Sequence, residues 1–77
     1  MGTSPRAALW EPLGELAGAV RSRQPDLHKD IMNLRERLDD DDVPHAVYAA
    51  DARALADRAK DAGTQVNFVR NRASLLD

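Results

Sequence analysis

Four prolines, at positions 5, 12, 25 and 44, divide this chain more firmly than any other feature. Proline lacks a backbone N–H and clashes with the carbonyl four residues earlier, so it is tolerated at the first helical position and not inside a helix. Each proline here reads as a helix start, with Ser4 as a cap before Pro5. Pro12 is the most restrictive, because a helix running through it would meet the carbonyl of Ala8. A first turn or two ending near Trp10 and then a new helix, or a single kinked helix, are the two expectations for that segment.

Between these marks the apolar residues recur at helical spacing. Leu13, Leu16, Ala17 and Val20 share one face, and Leu9 extends it backwards across Pro12. Leu27, Ile31, Leu34 and Leu38 make a narrow stripe, with Lys29, Asp30, Glu36 and Arg37 on the other side. Tyr48, Ala52, Leu55, Ala59 and Ala62 are expected to line a third helix that Gly63 ends. Val66, Val69, Ala73 and Leu76 form the main stripe of a last one, capped by Thr64. The fold class is therefore all-α: a small bundle of three to four short helices, over 5–10 and 12–22, 25–38, 44–62 and 65–76. Residues 1–77 make a single helical domain.

Composition supports helices and limits chemistry. Aromatic residues are 4% of the chain, too few for the β-branched and aromatic surfaces that sheets favour. There is no cysteine, so disulfides and thiolate metal sites are excluded. A domain of this length buries little of its surface and commonly gains stability from oligomerisation or a partner. A net charge of −2 argues against a nonspecific nucleic-acid binder. No apolar run approaches bilayer length, and no export leader is evident. Gly2 alone does not make a myristoylation site, because Arg6 stands where Ser or Thr is required. A soluble, cytoplasmic protein with no membrane association is expected. Arginine outnumbers lysine nine to two, a composition that hints at a bacterial or phage genome.

The run Asp39 to Asp42 is the most conspicuous candidate site. A calcium loop starting at Asp40 would need glycine where His45 stands and glutamate where Asp51 stands, so that pattern fails. The carboxylates read instead as punctuation, with Asp41 or Asp42 capping the helix after Pro44. An acidic contact for a basic partner is the alternative. His28 and His45 have no convincing nucleophile near them, and Ser4, Ser22 and Ser74 lie near segment ends. No catalytic residue, metal ligand or cofactor is expected, and the chain does not read as an enzyme.

Two functional readings remain. Phe68 and Leu75 are seven residues apart on a second apolar face of the last helix, which a small bundle does not need. With Trp10 and Met32 they are candidates for an interface with a protein partner or a second copy. The expected function is a helical interaction or oligomerisation module, an adaptor or a component of a bacterial or phage assembly. The alternative is a DNA-binding regulator. Ala59, Gly63 and Val69 have helix-turn-helix spacing, and the helix after them carries Gln65, Asn67, Arg70, Asn71 and Arg72. Arg72 falls where that pattern wants an apolar residue, and Thr64 follows the glycine where an aliphatic is common.

Overall fold

The computed structural model describes residues 5–40 and 42–76. A 3-10 helix over Pro5–Leu9 leads without a break into α1, Trp10–Val20. Then come α2 (Pro25–Arg37), α3 (His45–Asp61) and α4 (Asn67–Ala73), and a 3-10 turn over Ser74–Leu76. No strand occurs among the described residues. The fold is a small all-α bundle, as the proline and apolar spacing require. Helix ends differ from expectation by one or two residues in most cases.

The change of winding at Leu9 and Trp10 resolves the Pro12 conflict. Tight 3-10 bonding ends there, so Pro12 sits in the first turn of α1, where a missing N–H breaks no bond. Pro12 is buried there beside Leu13. Pro25 is the first residue of α2, as expected. Pro44 is one step earlier than expected: it is the N-cap of α3, and no side chain caps that helix. Asp42 does not serve as the cap. Its own N–H is accepted by Asp40 Oδ1 at 3.0 Å in a local turn. Asp41, Ser4 and Gly2 lie outside the described residues.

The end of α3 follows its sequence signal closely. Gly63 has φ of 90°, the left-handed conformation that suits glycine. Its N–H bonds the Lys60 carbonyl at 2.8 Å, and the Thr64 N–H bonds the Ala59 carbonyl at 3.0 Å. This pair of bonds is the Schellman closure, which satisfies two otherwise free carbonyls. Thr64 does not cap α4, which begins two residues later than its position requires. The N-cap of α4 is Val66, and Gln65 Oε1 accepts the Asn67 N–H at 3.0 Å.

One core runs through the bundle, and it holds no buried charged side chain among the described residues. α1 and α2 bring Leu13, Leu16, Val20, Leu27, Ile31 and Leu34 to it. α3 brings Tyr48, Ala49, Ala52, Ala56 and Ala59. Its buried face is rotated from the expected one: Leu55 is half-buried and Ala62 is exposed. Alanine occurs on several sides of α3, so spacing alone could not choose between faces. α4 and the final turn bury Val66, Val69, Ala73 and Leu76, the stripe read from the sequence. No helix of the described residues is long and apolar enough to cross a membrane.

Candidate interaction surface

α1 and α2 pack along their length and leave a groove of about 570 Å³ on their outer side. Its floor on α1 is made of small residues, Gly14, Ala17 and Gly18. Met32, half-buried, lines the α2 wall, and Glu11, Glu15 and Arg21 mark the α1 rim. Arg35 closes one end. Its guanidinium carbon lies 3.7 Å from the centroid of the Trp10 ring, a cation–π contact. Its Nε donates to the Trp10 carbonyl at 2.8 Å. A Cβ on Gly14 would come within 3.1 Å of the same guanidinium, so Gly14 gives Arg35 room to lie flat against α1. At the other end His28 donates from Nδ1 to the Ala17 carbonyl at 2.8 Å, which fixes its tautomer and ties α2 to α1.

Of the four apolar residues singled out by sequence, the structure puts Met32 on the wall of this groove and Trp10 behind Arg35 at its end. Trp10 is 42% exposed. Phe68 and Leu75 belong to the other end of the chain. Phe68 is half-buried and packs on the core, while Leu75 stands 62% exposed on the final turn. Val47, in the first turn of α3, is a further exposed aliphatic at 44%. Spacing did not reveal it, because it follows a proline in a segment where every residue but His45 is apolar.

The nucleic-acid candidates are scattered in role. Arg70 is ion-paired with Asp57 on α3, and its carbonyl accepts the Ser74 hydroxyl at 3.1 Å. Gln65 spends its carbonyl on the N–H of Asn67. Asn67, Asn71 and Arg72 are exposed. No family model, curated protein or solved structure matches this chain.

The acidic run does not assemble a site. Asp39, Asp40 and Asp42 are exposed. Among the described residues no three His, Asp or Glu side chains gather as metal ligands do. A second groove, between α2 and α3, is spanned by two ion pairs, Arg37 with Asp51 at 3.2 Å and Arg58 with Asp30 at 2.9 Å. These side chains are largely solvated, so the pairs orient α2 on α3 more than they stabilise it.

Proposed function

We propose that this chain is a non-enzymatic helical module that binds protein, either a second copy of itself or a separate partner. One observation carries the reading. The core is filled by aliphatic residues and Tyr48, yet the chain's only tryptophan and Leu75 remain outside it. Tryptophan is enriched at protein interfaces and dominates their energetics when desolvated. Here the Trp10 ring is held in place by Arg35, so little side-chain freedom is lost when a partner covers it. The nucleic-acid reading is the weaker of the two, because Arg70 is already neutralised by Asp57.

The test separates surface from fold. Trp10→Gln combined with Leu75→Gln is expected to leave the melting temperature within a few degrees of wild type. Surface changes of this kind are worth within about 1 kcal/mol. The same variant is expected to lower the weight-average mass of concentrated solutions or the affinity for a captured partner. A chain that unfolds on these changes would show that both side chains hold the fold together, and the reading would fall.

A further inference from the structure

Helix α1 carries two seams. The inward one is Leu9, Leu13, Leu16 and Val20, all fully buried. The outward one is Glu11, Gly14, Gly18 and Arg21, at spacings of three, four and three, the rhythm by which helices pair. This second seam borders the groove that holds Met32 and Arg35. Two facts about it bear on what could cover it. Glu11 and Arg21 form no ion pair among the described residues. Gly18 is exposed in the last turn of α1, and a Cβ there would meet nothing within 4 Å. Glycine weakens a helix at such a position relative to alanine. Gly14 is accounted for by Arg35, but Gly18 is not.

We infer that the occupant of this face is a second copy of the chain, with the two α1 helices antiparallel about a two-fold axis. The inference rests on the protein-binding reading above and gives that reading a partner. In this arrangement Glu11 of one copy lies opposite Arg21 of the other, and Gly14 lies opposite Gly18. Both charged pairs form at once because the axis repeats them. The open space at Gly18 receives the Arg35 guanidinium that covers Gly14 of the other copy. A parallel pairing would set Glu11 on Glu11 and Arg21 on Arg21, and is ruled out by repulsion. A partner of single charge sign would leave one end of the seam opposed to its own kind. The mixed seam is complementary to itself reversed.

Glu11 near the start of α1 and Arg21 just after its end also suit the dipole of their own helix. Charge reversal with mixing separates the two effects. Glu11→Arg and Arg21→Glu, each alone, set like charges against each other at both ends of the dimer. Each is expected to weaken self-association by about tenfold or more in sedimentation velocity. Mixed in equal amounts, they place two arginines of one copy against two glutamates of the other, and a heterodimer at least as tight as wild type is expected. A dipole effect within one chain predicts no recovery on mixing. Gly18→Leu adds a second reading with opposite signs: it fills the space for Arg35 and costs the dimer, while better helix propensity raises the melting temperature of the monomer. Wild-type protein that stays monomeric to near-millimolar concentration overturns the α1 pairing but leaves the module reading to its own test at Trp10 and Leu75. A dimer indifferent to both reversals, alone and mixed, also overturns the pairing and shows that self-association runs through another face.

Discussion

Between α1 and α2 the buried side chains are large, Leu13, Leu16 and Val20 against Leu27, Ile31 and Leu34. α3 meets the same core mostly with methyl groups, at Ala49, Ala52, Ala56 and Ala59, and one ring, Tyr48. The first pair holds together by filling volume. The second region brings little side-chain volume of its own beyond Tyr48. The outer surfaces differ too. α3 is laced to its neighbours by Asp51, Asp57 and Arg58, whose ion pairs reach α2 and α4. α1 has no such ion pair among the described residues.

This contrast can be broken at several points. Leu16→Ala should have the largest effect, because it removes volume from the half that depends on volume. A loss of about 3–4 kcal/mol is expected in denaturant unfolding, within the range for buried leucines. Ala56→Leu should destabilise in the opposite way, by adding volume at a fully buried position. Overpacking of this kind costs about 1–3 kcal/mol. If Ala56→Leu stabilised the chain instead, α3 would be loosely packed and the comparison would be wrong.

A third test concerns the hinge between the two halves. The Tyr48 hydroxyl reaches back from α3 to the Arg37 carbonyl at the end of α2, with the Asp40 carbonyl 3.0 Å away. It ties the loop that carries the acidic run to the core. Tyr48→Phe keeps the ring and loses the bond, so unfolding should ease by about 1 kcal/mol. Hydrogen exchange should speed up in residues 37–43 and stay unchanged in α1. The smallest effect belongs to Asp30→Asn, which removes one solvated ion pair between α2 and α3. A change of less than about 0.5 kcal/mol is expected, and it should vanish in high salt. A larger loss would mean that the ion pairs, and not the alanine face, hold α3 in place.

Much of the fold was legible along the chain. The α2 stripe from Leu27 to Leu38 and the α4 stripe from Val66 to Leu76 are buried as read, since large aliphatics at helical spacing leave one face to bury. Gly63 ended α3 by the bonds its position implies. The α3 face was less legible because its signal was alanine, which is tolerated both inside and outside. Capping was read too freely: Asp42 and Thr64 had the right chemistry, but the helices start so that Pro44 and Val66 hold the N-cap positions. The site was legible only in pieces. Trp10 and Met32 were picked out as surplus apolar residues, but nothing in sequence spacing joins residue 10 to residue 35.

By itself the sequence determined that this chain is helical, where its helices break, and that it has no cysteine chemistry. Those are local matters, set by proline geometry, periodicity and composition, and they act over a few residues. Only the tertiary structure decided which charges are spent and which are left over. Packing α2 against α1 lays Arg35 over Gly14 and on Trp10, and leaves Gly18, Glu11 and Arg21 facing outward. A residue's partner across 25 positions of chain depends on how two helices cross, and no pattern within either helix encodes that alone.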